Sequence, residues 1–119
     1  MLATLLTSLF LSKNQKDLKR FARLVSDIHR AESGMKHDSL DSLRARTIRW
    51  KAELALLTDP REIQQKLDRL LPEAFAAVKQ AARLLMGQTM TVCGRPEVWS
   101  MIPYDTQLIA GIAMHQGKV

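Results

Sequence analysis

Apolar residues at helical spacing are the feature that most constrains the fold of this chain. Between residues 2 and 85 they recur three and four positions apart and do not alternate, which favours amphipathic helices over strands. Five glycines and four prolines are too few for a loop-rich β-sandwich, and 119 residues with 46% apolar composition suffice for one modest core. A single cysteine excludes an internal disulfide. We therefore expect a mainly α-helical chain.

Residues that cap or break helices predict the boundaries of these helices. Asp59 followed by Pro60, with Glu62 three positions after the aspartate, is a strong start signal. Pro72 should end that helix and begin the next, because proline blocks the turn before it but suits a first helical position. The predicted starts are Asn14, Ser39, Asp59 and Pro72, and the predicted ends include Gly34 and Gly87.

Residues 88–103 differ in kind from the helices before them. Thr89 to Val92 and Glu97 to Trp99 have the composition of two short strands, and the Cys93-Gly94-Arg95-Pro96 stretch between them is typical of a turn. An isolated two-stranded hairpin is marginally stable, so we expect it to lean on a neighbour. A final helix entered through Pro103 follows. The expected order is amino-terminal helices, a short β-hairpin and a final helix.

The final segment, Met101 to Val119, contains the most suggestive chemistry. Tyr104 and Gln107 are three positions apart and would share one helical face. An aromatic ring can stack on a purine while a carboxamide donates and accepts toward the base edge. The same spacing occurs on many ordinary helices, so the alternative is a helix that packs Leu108, Ile109 and Ile112 into a core.

The net charge of +6 is concentrated at the amino terminus. Residues 1–30 carry six basic and two acidic side chains, a local balance of +4. The first helix has a continuous apolar stripe followed at once by lysines, which suits an anionic membrane surface. The alternative is that the stripe docks on the body of the protein. The proposed membrane-contacting residues are Leu2, Leu5, Leu6, Leu9, Phe10, Lys13 and Lys16.

Other site chemistries find little support in the sequence. The basic stretch Arg44 to Lys51 favours a solvated helix face, so we expect no specific nucleic-acid partner. The three histidines and Cys93 form no metal-ligand spacing, and no Ser, His and Asp fall into a nucleophile arrangement. We therefore expect neither a metal site nor a catalytic residue.

Three blocks of the sequence resemble SecA, the preprotein translocase ATPase family. They occur in the family's order and at about its spacings, so the resemblance covers nearly the whole chain, although residues 33–65 match only in pattern. The blocks are Met1-Leu-Ala-Thr-Leu-Leu-Thr, then Leu71-Pro-Glu-Ala-Phe-Ala-Ala-Val with Ala81-Ala-Arg, and Tyr104-Asp-x-Gln-Leu-Ile-x-Gly with His115-Gln-Gly-Lys-Val.

The resemblance implies a role for each residue of the final segment. Gln107 would contact adenine, and Tyr104 and Met101 would line the base pocket. The implied cofactor is ATP, with magnesium only in the complete motor. The implied partners are a SecYEG-type translocon and preprotein, and the implied location is cytoplasmic, peripheral on the cytoplasmic face of the inner membrane.

The resemblance also implies an incomplete front part of a P-loop (RecA-like) α/β motor domain. Residues 1–12 would form an amphipathic amino-terminal helix, and residues 13–119 the helical amino-terminal part of the nucleotide-binding domain, truncated before the phosphate-binding loop. No G-x-x-x-x-G-K-[ST] motif or magnesium-binding acidic strand end occurs. We therefore expect no ATP hydrolysis by this chain alone.

Two hypotheses from different classes remain after the sequence analysis. The first is the amino-terminal portion of a SecA-type motor, which holds the adenine side of the nucleotide site and contacts membrane or channel. The second is a non-catalytic helical interaction module that binds an anionic membrane or a partner through its basic amphipathic amino terminus. The codons after Val119 discriminate them: an open frame encoding a phosphate-binding loop favours the motor, and a stop favours the module.

We expect the chain to bind anionic vesicles and to be released by salt. Leu6→Glu should weaken binding, because it places a carboxylate in the apolar stripe. Thr7→Glu, on the polar side of the same helix, is the matched control and should weaken binding less. Vesicle sedimentation measures both, and equal partitioning of the wild type and Leu6→Glu would count against a membrane role.

Overall fold

Four helices and one hairpin account for most of the part of the chain that the structure describes. The computed structural model describes the backbone of residues 2–118 and the side chains of residues 15–118. In chain order the elements are α1 (Leu2–Gly34), α2 (Leu40–Ala55), α3 (Pro60–Leu85), β1 (Thr89–Val92), β2 (Arg95–Val98) and α4 (Asp105–His115). The expected mainly helical fold, with the hairpin before the last helix, is confirmed.

Helix α1 is a single helix of 33 residues. The predicted start at Asn14 is therefore wrong, and the helix has no break between residues 2–12 and the residues that follow. A cap at Asn14 would require non-helical backbone and would sacrifice hydrogen bonds on both sides, and no glycine or proline there demands it. The side chains of the proposed apolar stripe and of Lys13 lie outside the described residues. No helix within residues 2–118 is long and apolar enough to cross a membrane.

Side-chain caps start α2 and α3 where the sequence predicts. Ser39 is the N-cap of α2, and its hydroxyl accepts a hydrogen bond from the backbone N–H of Ser42 at 3.1 Å. Asp59 caps α3 in the same way by accepting from the N–H of Arg61 at 2.9 Å, with Pro60 in the first turn. Each such cap stabilises a helix by about 1 kcal/mol.

Helix α3 runs straight through Pro72, so the predicted helix boundary there is wrong. Pro72 has no N–H to donate to the carbonyl of Asp68, a defect that costs about 3 kcal/mol in a helix interior. Packing offsets this cost, because the apolar side of α3 continues on both sides of the proline. Leu71 before the proline and Ala76 and Ala77 after it are all buried. Burial of a large apolar side chain such as that of Leu71 contributes about 1.5–3 kcal/mol.

The core forms where α3 packs against α1 and α2 and where α4 packs against α1. Ile28 of α1 and Ile112 of α4 are both fully buried. A methyl group built on Gly111 would lie 2.9 Å from Cζ of Phe75, so glycine is what lets α4 approach α3 there. The buried core residues are Phe21, Val25, Ile28, Met35, Leu43, Trp50, Leu71, Ala76, Ala77, Leu108 and Ile112.

The hairpin pairs β1 and β2 in antiparallel register from Thr89 opposite Val98 to Val92 opposite Arg95. Cys93 and Gly94 form its turn with φ values of 50° and 78°. Two positive φ angles define a type I′ turn, which matches the twist of the strands. The turn is shorter than predicted, since Arg95 and the following proline belong to β2.

The expectation that the hairpin leans on a neighbour is wrong for its strands. Every residue of β2 is exposed, and β1 is exposed except for the half-buried Met90. The hairpin is instead joined to the end of α3 at its base. Gly87 donates to the carbonyl of Trp99, and Trp99 donates to the carbonyl of Gln88, both at 2.9 Å. This pairing fixes where the Trp99 side chain lies.

Pro72→Ala should raise the free energy of unfolding by about 1–3 kcal/mol, because alanine restores the donor to the Asp68 carbonyl and favours the helix. Urea denaturation measures the change. Glu73→Ala, at the next and exposed position, is the matched control and should stay within about 0.5 kcal/mol of the wild type. A Pro72→Ala variant no more stable than the wild type would show that the proline relieves strain in α3.

Candidate functional site

The amino-terminal end of α4 is capped by a hydrogen bond from the backbone N–H of Tyr104 to the side chain of Gln107. Tyr104 is the N-cap residue, with extended backbone at φ −80° and ψ 161°. Its backbone N–H donates to Oε1 of Gln107 at 2.9 Å, the backbone half of a capping box. No described residue accepts a hydrogen bond from Nε2 of Gln107. The amide is therefore oriented by its oxygen while its nitrogen is available.

An apolar cavity of about 490 Å³ opens between α3, the base of the hairpin and α4. Gln107 provides the one carboxamide of its lining, and the other lining residues are aliphatic, aromatic or sulfur-containing. Small-molecule sites commonly enclose about 300–1,000 Å³ and combine apolar walls with a few polar groups. The lining residues are Phe75, Val78, Ala81, Ala82, Leu85, Trp99, Met101, Pro103, Gln107 and Leu108.

Two of the three predicted site residues meet at this cavity. Met101 and Gln107 both line it, whereas Tyr104 does not and is 73% exposed. The premise that Tyr104 and Gln107 share a helical face is wrong, because the N-cap residue precedes the helix and has extended backbone. The alternative of a core-packing helix also describes α4, since Leu108 and Ile112 are buried, and Leu108 also lines the cavity.

Trp99 is a lining residue that the sequence analysis placed only in the hairpin. Its indole Nε1 is buried and has no hydrogen-bond partner among the described residues. A buried donor without an acceptor costs about 1–3 kcal/mol, so an acceptor on a ligand or a water molecule would stabilise it. The signal in the sequence was a tryptophan at the end of the predicted second strand, two positions before the predicted Met101.

A larger cavity of about 620 Å³ lies between α2 and α3 and shares Val78 and Ala81 with the first. Two of its polar side chains are already engaged, because the Thr47 hydroxyl donates to the carbonyl of Leu43 at 3.1 Å and Arg44 pairs with an aspartate on its own helix. Among the described residues, no buried side-chain donor or acceptor in this groove lacks a partner, so it is the weaker candidate despite its size.

Five charged or titratable side chains join α1, α3 and α4. We call this set, Glu32, Lys79, Arg83, His29 and Asp105, the Glu32 cluster. Lys79 is 5% exposed, and its Nζ lies 2.7 Å from Oε2 of Glu32. Arg83 contacts the other carboxylate oxygen of Glu32, Oε1. His29 links the pair to α4, because its Nδ1 lies 3.3 Å from Lys79 Nζ and its Nε2 lies 2.9 Å from Asp105 Oδ1.

Pairing sets the protonation of the central carboxylate of this cluster. Burial tends to raise the pKa of Glu32, but the hydrogen bonds and positive charges of Lys79 and Arg83 outweigh it and hold the pKa below its ordinary value. Glu32 is therefore ionised at neutral pH, as the burial of Lys79 requires.

The opposite end of α4 is held in a similar way. His115 Nε2 lies 2.9 Å from Oδ1 of Asp68 on α3. This hydrogen bond is the main reason that the pKa of Asp68 lies below its ordinary value, although partial burial opposes it. Among the described residues, no three His, Cys, Asp or Glu side chains lie close enough together to hold a metal ion.

Similarity to known proteins identifies the family to which this chain belongs. The model of the SecA DEAD-like domain matches residues 6–119, a span that includes α4 and every residue lining the cavity. The chain belongs to the SecA family.

Its curated relatives are far longer proteins. The protein translocase subunit SecA of Pelodictyon phaeoclathratiforme is 33% identical, over 93% of this chain and 14% of the relative. The SecA of Chlamydia muridarum is 37% identical, over 92% of this chain and 11% of the relative. The SecA of Chlorobaculum tepidum is 58% identical over 53 residues, which are 44% of this chain and 5% of the relative. The first two matches thus cover only 11–14% of the relatives' length. No solved structure matches the chain.

Glu32→Gln should flatten the pH dependence of stability in acid. A carboxylate whose pKa is depressed on folding stabilises the protein above its unfolded value of 4.5, and this contribution is lost as pH falls through the lower folded value. Urea midpoints measured from about pH 6 to pH 3 should therefore fall less steeply in the variant.

Glu53→Gln is the matched control for this prediction. Glu53 pairs with Lys66 at 2.6 Å, and this hydrogen bond also lowers its pKa, but the pair is at the surface. Raising the salt concentration should remove the effect of Glu53→Gln and leave that of Glu32→Gln largely intact, because buried pairs are screened less. Equal salt sensitivity of the two variants would contradict the burial of the Glu32–Lys79 pair.

Proposed function

We propose that this chain is the amino-terminal part of a SecA-type ATP-dependent preprotein translocase motor and contributes the adenine side of its nucleotide site. The observation that carries the proposal is the apolar cavity in which Gln107 presents a free amide nitrogen beside Met101. Membership of the SecA family supports it, because the match includes this helix and this cavity.

The carboxamide of Gln107 suits the edge of adenine. Adenine offers an amine donor next to a ring-nitrogen acceptor, and a carboxamide pairs with both at once. The oxygen of Gln107 already accepts from the Tyr104 N–H, but a carbonyl oxygen has a second lone pair for the adenine amine. Guanine places acceptors at both of the corresponding positions, so the same amide favours adenine over guanine.

The walls of the cavity suit a flat aromatic base. Phe75 and Trp99 supply aromatic surface, and Met101 supplies a polarisable thioether that packs well against rings. The unsatisfied indole donor of Trp99 adds a polar group that the ring nitrogens of a base can accept from. Tyr104 would close the site from its exposed position at the cap of α4.

The cavity fits the base of ATP and not its phosphates. No lysine or arginine lines it, and no phosphate-binding loop occurs in the sequence. In this proposal the phosphate and magnesium contacts belong to parts of the motor outside this chain. ATP bound to the complete motor would supply the phosphoryl-transfer chemistry, while Gln107, Met101 and Trp99 would bind and orient its base.

The amino-terminal part of α1 would make the membrane or translocon contact of the motor. Its apolar stripe and following lysines support this assignment, as does the local charge of +4 over residues 1–30. The relatives are protein translocase subunits, which supports a role in preprotein export, and the resemblance to SecA implies a SecYEG-type translocon as the partner. The proposed location is the cytoplasmic face of the inner membrane.

Gln107→Glu separates base recognition from folding. The glutamate carboxylate keeps an acceptor for the Tyr104 N–H but loses the amide donor that adenine needs. We expect adenosine at millimolar concentration to shift the NMR signals of Trp99 and the Met101 methyl group in the wild type, and to shift them far less in Gln107→Glu. Guanosine should have little effect on either.

Gln65→Glu, at an exposed glutamine on α3 away from the cavity, is the matched control and should respond to adenosine like the wild type. ATP should bind this chain no more than a few-fold tighter than adenosine, because most affinity in nucleotide sites comes from phosphate contacts. Unchanged adenosine binding by Gln107→Glu would contradict the base-recognition role. Tight ATP binding by this chain in calorimetry would contradict the placement of the phosphate contacts elsewhere.

A further inference from the structure

His29 of α1 lies over the start of α4. Its Nε2 is 2.9 Å from Oδ1 of Asp105, which is the first residue of α4 and lies two positions before Gln107. The two residues are 76 positions apart in the chain. A side chain of the longest helix thus contacts the same helical turn that presents the Gln107 amide to the cavity.

The other partner of His29 fixes the tautomer of its ring. Lys79 Nζ lies 3.3 Å from Nδ1 of His29, and a lysine ammonium can only donate hydrogen bonds. For a neutral ring this contact makes Nδ1 the acceptor and assigns the ring proton to Nε2, which donates it to Asp105; Oε2 of Glu32 lies further from Nδ1, at 3.7 Å. Lys79 is itself held by Glu32 at 2.7 Å, so His29 is oriented from the buried core and not only from the surface.

The first turn of α4 has few other contacts that hold it. Tyr104, Asp105, Thr106 and Gln107 are all exposed, and Leu108 is the first buried residue of the helix. Among the described residues, its remaining restraints are the burial of Leu108 and hydrogen bonds within residues 104–108, which are the bond from the Tyr104 N–H to Gln107 and the backbone bonds to the Tyr104 carbonyl. The position of the Gln107 amide therefore depends on the contact between His29 and Asp105.

We propose that His29 is a positioning residue that holds the first turn of α4 to α1 through Asp105 and so couples the α1 helix to the cavity. The meaning of this coupling for nucleotide binding rests on the proposed function, but the positioning itself does not. His29 touches no residue lining the cavity among its recorded hydrogen bonds and ion pairs, so it acts on Gln107 only through Asp105.

The test measures amide hydrogen exchange in the 119-residue chain carrying His29→Ala. Exchange at Gln107 and Leu108, whose amides both donate to the carbonyl of Tyr104, should accelerate about two- to fivefold, the range expected for losing a partly exposed charge-assisted contact. Exchange at Gln116, at the far end of α4, should not change. His115→Ala, which removes the matching contact with Asp68, should give the reverse pattern.

Further variants separate positioning from a loss of stability. Asp105→Asn in the His29→Ala background should add little, since both changes remove one contact. His29→Gln retains a side-chain donor and should recover part of the protection. In the wild type, the imidazole ¹⁵N signals should show the proton on Nε2, and Asp105→Asn should shift that signal. Unchanged exchange at Gln107 in His29→Ala would overturn the inference, as would a uniform acceleration that includes the fully buried Ile28 and Ile112.

An adenosine titration of the same variants keeps the two proposals apart. If wild type binds adenosine and His29→Ala binds it less well, with the loss matching that of Asp105→Asn, both proposals hold. If adenosine does not bind while His29→Ala still accelerates exchange at Gln107, the proposed function fails and the positioning role stands. If adenosine binds equally to wild type and His29→Ala and exchange at Gln107 is unchanged, the positioning role fails alone.

Discussion

The ion pair between Glu32 and Lys79 is the contact on which the arrangement of the helices depends. Lys79 is almost fully buried between α1 and α3, where an unpaired ammonium would be unstable. Removing one partner of such a pair costs about 3–5 kcal/mol, because the other charge is left without compensation. The same ammonium orients His29, which contacts Asp105. One buried charge thus fixes α1 against α3 and, through a second contact, α4 against α1.

The candidate site is built from three consecutive parts of the chain, and each depends on a different local cause. The apolar side of α3 forms one wall, because the helix continues through Pro72 without a break. The hairpin provides a second wall, because the backbone pairing of Trp99 with Gly87 and Gln88 places its indole at the end of α3. Gln107 completes the site, because the capping bond to Tyr104 orients its amide. A change to any one of these local structures alters the cavity.

The features that the sequence predicted correctly are those determined by neighbouring residues. The starts of α2 and α3 follow from side chains that cap backbone groups two or three positions away, and the hairpin follows from a turn that needs positive φ at Gly94. The continuity of α1 past Asn14 and of α3 past Pro72 was not predictable from local signals. In α3, burial of apolar side chains on both sides of the proline outweighs its local preference.

The candidate site was predictable only in part for the same reason. Met101 and Gln107 were identified from a resemblance in sequence, and the structure places both at one cavity. Trp99 and His29 were missed as functional candidates because their roles depend on contacts distant in sequence. The His29 ring meets Lys79 across 50 positions and Asp105 across 76, and no periodicity in one segment encodes such pairs. Tyr104 fell outside the cavity because an N-cap residue does not follow helical geometry.

The unbroken length of α1 has a geometric consequence. At 1.5 Å per residue, a helix of 33 residues measures about 50 Å from end to end. The axial distance from Leu2 to His29 is about 40 Å on the same scale. Under the proposed function, binding of the first turns to a bilayer or channel would set the distance and the tilt of the proposed base cavity relative to that surface. The length of α1 would then fix the spacing between its first turns and the proposed base cavity, and lengthening the helix by one turn would increase this spacing by about 5.4 Å.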